Sequence, residues 1–140
     1  MWRSKEEDNT VFQIDAMGRT PVYGQIIEQT ERFVATGILK SGDPMPSVRS
    51  LSLQLSVNPN TIQKAFNELS SRGIIVSVPG KGSFISERAA DILNSKSRAR
   101  IGEFRDISEQ LINAGISPDE LTALIRDIAA AKEEVNDSSR

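Results

Sequence analysis

The chain has 140 residues, 38% of them hydrophobic and 26% charged, with a formal net charge of −2, a balance that fits one ordinary folded domain or two small ones and not a disordered polymer. It contains no cysteine and no histidine, which removes disulfides, cysteine-ligated zinc, the commonest metal ligand and the commonest general base together. No apolar run approaches the roughly 18 residues needed to span a bilayer, and the polar start "MWRSKEEDNT" has no apolar signal-peptide segment, so a cytoplasmic protein is expected.

Net charge hides where the charge sits. Residues 1–19 carry three Lys/Arg and four Asp/Glu, residues 20–88 seven and five, and residues 89–140 seven and ten. Within 44–82 the one acid, Glu68, faces Arg49, Lys64, Arg72 and Lys81. The middle of the chain is therefore locally basic although the whole is acidic.

In chain order, "VFQID" (11–15) alternates apolar and polar and reads as a short strand. Thr20 then caps a helix with Pro21 at its first position; its apolar face is Val22, Tyr23, Ile26, Ile27, Phe33 and Val34, and Gly37 ends it. "ILKSGDPMP" reads as a turn-rich connection. Ser47 caps a shorter helix with a Val48, Leu51 and Leu55 stripe, and Leu53 falls off that face. After a break at Val57-Asn58, Asn58 caps and Pro59 opens a third helix, which buries Ile62, Ala65, Phe66 and Leu69 and stops at Gly73. Ile74–Val78 and Ser83–Ile85 flank Pro79-Gly80-Lys81-Gly82 as a hairpin with a charged tip. Residues 88–113 read as helix with apolar residues at Ile101, Phe104, Ile107, Leu111 and Ile112, weakened at Ser95–Ser97 and Gly102. Ser117-Pro118-Asp119-Glu120 is a capping box for a last helix with Leu121, Leu124, Ile125, Ile128 and Ala129 on one face.

Two helices joined by a tight turn and followed by a hairpin predict a mainly α fold with a small β-wing, a winged helix-turn-helix followed by two further helices. The second helix of that motif presents its N-terminal end to the DNA major groove. Asn58, Asn60 and Thr61 are short hydrogen-bonding side chains there, Gln63 and Lys64 lie one turn on along the outward face, and Gly80 and Lys81 tip the wing. Arg72, near the third helix's C-terminus, reads as a dipole partner. "SKSRAR" (95–100) and the acids Glu103, Asp106 and Glu109 read as solvated helix faces, and "PGKG" lacks the pattern of a nucleotide loop.

The segments "PVYGQI", "GILKSGDPMPSVRSLSLQLSVNPNTIQKAFNELSSRGII" and "GKGSFI" together resemble the winged-helix domain of the GntR family of bacterial transcription regulators, over about residues 11–86. The short two-helix tail after that domain resembles the YtrA-type subfamily, in which such a tail dimerises the protein and the regulators typically repress ABC-transporter operons. The resemblance implies DNA contacts from Ser47 and Arg49 of the Pro-Ser-x-Arg motif, from Thr61, and from Gly80 and Lys81 of the wing. The apolar stripes of the tail, with Ile101, Phe104, Leu111, Leu121, Leu124, Ile125 and Ile128, could pack on their own domain, but they are large for so small a unit, and dimerisation through these residues is expected. Many members carry Ser-Arg where this chain has Asn58-Pro59, so no arginine reads DNA there and Lys64 and Asn60 are expected to stand in. The expected organisation is a flexible 1–10, a DNA-binding domain at 11–87, a helical dimerisation segment at 88–135 and a frayed 136–140.

The expected function is that of a homodimeric, sequence-specific DNA-binding regulator, a repressor on a near-palindromic operator. The alternative is a winged-helix protein-interaction module without specific DNA binding. No catalytic constellation, metal or cofactor is expected, and any small-molecule effector would have to bind at the dimer interface or the domain junction.

Overall fold

Small polar residues and prolines decide where the helices start. In the computed structural model, which describes residues 12–138, the elements in chain order are α1 (Val22–Ala35), α2 (Val48–Leu55), α3 (Pro59–Ser71), β1 (Ile75–Val78), β2 (Gly82–Ile85), α4 (Ala89–Asn113) and α5 (Pro118–Ser138). The Ser47 hydroxyl accepts the Ser50 N–H at 3.0 Å, the Asn58 carboxamide accepts the Asn60 N–H at 2.8 Å, and the Ser117 hydroxyl accepts the Glu120 N–H at 3.1 Å. Each cap satisfies a donor that the first helical turn leaves without a partner, worth about 1 kcal/mol. The chain divides into two compact units, residues up to Lys96 and residues from Ser97. No helix among the described residues is long and apolar enough to cross a membrane.

The first unit is built around Ile26, Leu51, Ile62, Leu69, Ile74, Ile75 and Ile85, each essentially inaccessible to water. They come from α1, α2, α3 and the hairpin, and Ala89 and Leu93 of the first turns of α4 join them. Burial of side chains of this size stabilises by about 1.5–3 kcal/mol each. The turn between α2 and α3 is held by Ser52, whose hydroxyl donates to the Val57 carbonyl at 2.6 Å, while the Val57 N–H returns to the Ser52 carbonyl at 3.1 Å. Ser56 takes a left-handed conformation there (φ 54°), alone among the described non-glycine residues, and so reverses the chain within three residues.

β1 and β2 pair antiparallel, with Ile75 opposite Ile85 and Val78 opposite Gly82. The Lys81 N–H donates to the Val78 carbonyl at 2.9 Å across Pro79 and Gly80. Proline at the second position and glycine with φ 76° at the third make this a type II turn, which needs a residue free to adopt positive φ. The charged tip is thus a hydrogen-bonded type II turn.

Two expectations need correction and two are refined. The 11–15 segment is extended but is not a strand: Phe12–Asp15 have no strand partner, and Val11 lies outside the described residues. The alternation holds, since Phe12 is buried and Ile14 half-buried, and Phe12 meets Phe33 edge to face with ring centroids 5.3 Å apart. Thr20 does not cap α1; Pro21 is the N-cap residue, with no side-chain cap bond, and Val22 is the first helical residue. Pro21 keeps an extended ψ of 152°, so the helix begins one residue later. The connection 42–45 is more than turns: the Gly42 N–H donates to the Ile85 carbonyl, the Ile85 N–H to the Asp43 carbonyl and the Met45 N–H to the Ser83 carbonyl, with Pro44 bridged to Phe84. Two prolines erase the strand signal, yet Pro44 sits where no N–H is needed. Ser95–Ser97 and Gly102 do not interrupt α4, which is continuous over 25 residues.

The expected flexible stretch 1–10 lies outside the described residues. Of the expected frayed end, residues up to Ser138 belong to α5 and 139–140 lie outside the described residues.

Candidate nucleic-acid interface

The outward face of α3 is set by its inward one. Ile62, Ala65, Phe66 and Leu69 are buried, so helical geometry turns Asn60, Gln63, Lys64 and Asn67 to solvent, and all four are exposed. On one flank, a groove of about 730 Å³ runs between Ser47 and Val48 at the start of α2, Gln63, Asn67 and Ser70 of α3, and Ser77, Lys81 and Ser83 of the hairpin. The pairing of residues 42–45 with β2 brings the start of α2 beside the wing, and so forms the groove's third wall. On the other flank, a shallower concavity of about 570 Å³ is lined by Tyr23 of α1 and by Asn60, Gln63, Lys64, Asn67, Glu68 and Arg72.

The cations of this face fall into two sets. Arg49, Lys64 and Lys81 are exposed and make no ion pair with any described residue. The Lys64 ammonium lies over the Tyr23 ring, 3.9 Å from its centroid. This contact holds the long side chain without neutralising it. Arg72 is spent internally: its guanidinium donates to Glu31 at 2.7 Å and to Glu68 at 2.9 Å. The Glu68 hydrogen bond, with help from Glu31 and against burial, raises the Arg72 pKa above its ordinary value. Lys96 also reaches Glu31, at 3.5 Å. Glu68, the single acid of the basic stretch, is therefore turned into an internal bridge, and the free charge left on this face is positive.

The structure gathers some of the expected site residues and separates others. Ser47, Gln63 and Lys81 line the groove, and Asn60, Gln63 and Lys64 the concavity beside it. Arg49, Asn58, Thr61 and Gly80 line neither. Asn58 has its carboxamide oxygen committed to the cap, and Thr61 is half-buried with no side-chain hydrogen bond to a described residue. Sequence reasoning missed Asn67, Ser77 and Ser83. The signal for Asn67 is its position four residues after Gln63, on the same stripe.

In the second unit the chemistry is apolar. After Leu93 no described residue is buried. Ile101, Phe104, Ile107, Leu111 and Ile112 of α4 and Leu124, Ile125 and Ile128 of α5 are 38–56% exposed, and Leu121 is half-buried. No group of three or more acidic residues that could hold a metal ion occurs among the described residues, so Glu103, Asp106 and Glu109 do not converge.

Known proteins carry the same architecture. The model of the bacterial regulatory proteins of the gntR family matches residues 22–85. The transcriptional repressor YtrA of Bacillus subtilis is 39% identical over 127 residues, covering 86% of this chain and 93% of that one. Among solved structures, a transcriptional regulator from Oenococcus oeni is 33% identical with a TM-score of 0.65, over 83% of this chain and 97% of that one. A GntR family transcriptional regulator from Listeria monocytogenes is 30% identical with a TM-score of 0.65, over 81% and 98%. The chain belongs to the gntR family of bacterial regulatory proteins, as a DNA-binding transcription regulator of the YtrA type.

Proposed function

We propose that the chain is a repressor that binds a near-palindromic operator as a homodimer in the cytoplasm, with the winged helix reading one half-site and α4–α5 joining the two chains. The observation that carries this reading is the sorting of cations. Lys64 and Lys81, which line the two flanks of α3, and Arg49 on α2 make no ion pair with any described residue, while Arg72 bridges Glu31 and Glu68 and Lys96 reaches Glu31. Unpaired cations around an exposed polar helix suit phosphates on either side of a groove, and amide side chains between them suit base edges. The dimer is supported by the second unit, where two long helices leave their apolar stripes uncovered in the isolated chain. YtrA of Bacillus subtilis, 39% identical, is itself a repressor.

Fluorescence anisotropy against the chain's own upstream DNA and a scrambled duplex, across salt, tests the reading. Tight, salt-dependent binding to the native duplex is expected. Arg49→Ala is expected to weaken binding and lower the slope of log K against log salt by about one, the share of one phosphate contact. Equal affinity for both duplexes at every salt, with no effect of Arg49→Ala, would favour a protein-docking winged helix instead.

A further inference from the structure

Gln63 and Asn67 stand one turn apart on α3, and the Gln63 Nε2 donates to the Asn67 Oδ1 at 2.9 Å. Both are exposed, and they form the wall shared by the two concavities, with Lys64 beside one and Lys81 beside the other. Two neutral amides thus stand between two cations that make no ion pair with a described residue. This order matches a major groove, in which base edges lie between phosphate strands about 12 Å apart.

The bridge uses one donor of Gln63 and one lone pair of Asn67. What points outward is an acceptor, Gln63 Oε1, beside a donor, Asn67 Nδ2. Exchanging the orientation of both carboxamides keeps an acceptor beside a donor. Adenine presents the complement on its major-groove edge, the N6 amino group beside N7. The mutual bond fixes two side chains that would otherwise lose rotamer freedom on binding. We infer that Asn67, bridged to Gln63, determines specificity and that the pair reads one adenine within each operator half-site. The inference rests on the operator-binding reading above and deepens it, because Asn67 contributes no charge and would not alter affinity for phosphates.

The test uses the full chain to select a consensus from a randomised duplex library. Affinities of wild type, Asn67→Ala, Asn67→Asp and Lys81→Ala are then measured on that duplex and on each single base-pair replacement. Asn67→Asp retains an acceptor for the Gln63 N–H but replaces the outward donor with an oxygen. The expected result is that Asn67→Ala flattens discrimination at one A·T position per half-site by about tenfold. Asn67→Asp is expected to move that preference toward cytosine, whose N4 amino group a carboxylate accepts, while Lys81→Ala weakens all duplexes alike. Asn67 is exposed, so both variants are expected to melt with wild type. Wild-type preference retained by both Asn67 variants at every position overturns the inference and leaves the operator reading intact. A wild-type chain that selects no consensus overturns the operator reading itself.

Discussion

The Lys64 ammonium rests 3.9 Å from the centre of the Tyr23 ring, so a residue on the first helix positions a cation on the third. The ring attracts the charge through its quadrupole, a gain of about 0.5–1 kcal/mol at an exposed site. It leaves the charge unneutralised. Lys64→Met is expected to lower the salt slope of DNA binding by about one and to weaken binding to all sequences alike. Tyr23→Leu keeps the charge and removes the platform. It is expected to keep the wild-type salt slope with a loss of only a few-fold in affinity, since the ring's gain is small. Titrations at four or five salt concentrations separate the two outcomes; equal slopes for Lys64→Met and wild type would remove Lys64 from the interface.

Arg72 predicts the opposite pattern from the same helix. Its two carboxylate partners come from α1 and from α3 itself, so its charge serves stability. Arg72→Met leaves Glu31, which is 15% exposed, without its closest cation. The expected cost is about 1 kcal/mol, discounted for solvent because the Arg72 side chain is itself 37% exposed. Urea denaturation measures it, and the loss should shrink at high salt. The salt slope of DNA binding is expected to stay at the wild-type value, because Arg72 holds carboxylates and not a phosphate, while affinity falls a few-fold as Glu68 loses its bridge beside α3. A drop in the salt slope would mean that Arg72 leaves its carboxylates for a phosphate.

Gln25 and Gln29 explain both what the sequence revealed about the N-terminal segment and what it hid. The Gln25 carboxamide accepts the Asp15 N–H and donates to the Asp15 carbonyl, both at 2.8 Å, and Gln29 does the same for Gln13. Four residues of helix rise about 6 Å and two residues of extended chain about 6.6 Å. Two glutamines one turn apart therefore meet alternate backbone positions of an extended segment. Gln25→Leu with Gln29→Leu is expected to destabilise the first unit by about 2–3 kcal/mol, as exposed amide bonds worth about 0.5–1.5 kcal/mol each are lost. Hydrogen exchange at the Gln13 and Asp15 amides should accelerate first, and unchanged protection there would show that Phe12 alone holds the segment.

The alternation at 12–15 was legible because it reports which side is buried, but the partner was not, because no local pattern says that a helix side chain will replace a strand. The same division runs through the molecule. Ser47, Asn58 and Ser117 announced three helix starts, since a cap acts within its own turn. The pairing of Gly42–Met45 with β2, the Lys64–Tyr23 contact and the Arg72 bridge join residues far apart in the chain, and only packing brings them together. For the site, residue types at the start of α3 pointed to the surface, and the α2–wing groove needed the fold. At Asn58 one residue type serves both readings, a cap and a contact, and the cap is the one that the fold displays.

The apolar stripes of α4 and α5 carry the prediction with the largest expected effect. Ile101, Phe104 and Ile107 of α4 and Leu124, Ile125 and Ile128 of α5 are each about half exposed, so covering what remains would contribute about 1 kcal/mol per side chain. A charge placed there loses that gain and adds a desolvation cost. Phe104→Asp and Ile125→Asp are each expected to raise the dimer dissociation constant at least tenfold, measured by sedimentation equilibrium. Leu53→Asp is the control, because Leu53 is 73% exposed on α2 and belongs to no stripe; its expected effect on mass is nil. A monomer keeps its winged helix but loses the effective concentration that couples two half-sites, so operator affinity should fall far more than half-site affinity. An unchanged mass for both stripe variants would mean that the stripes are covered by something other than a second copy of the chain.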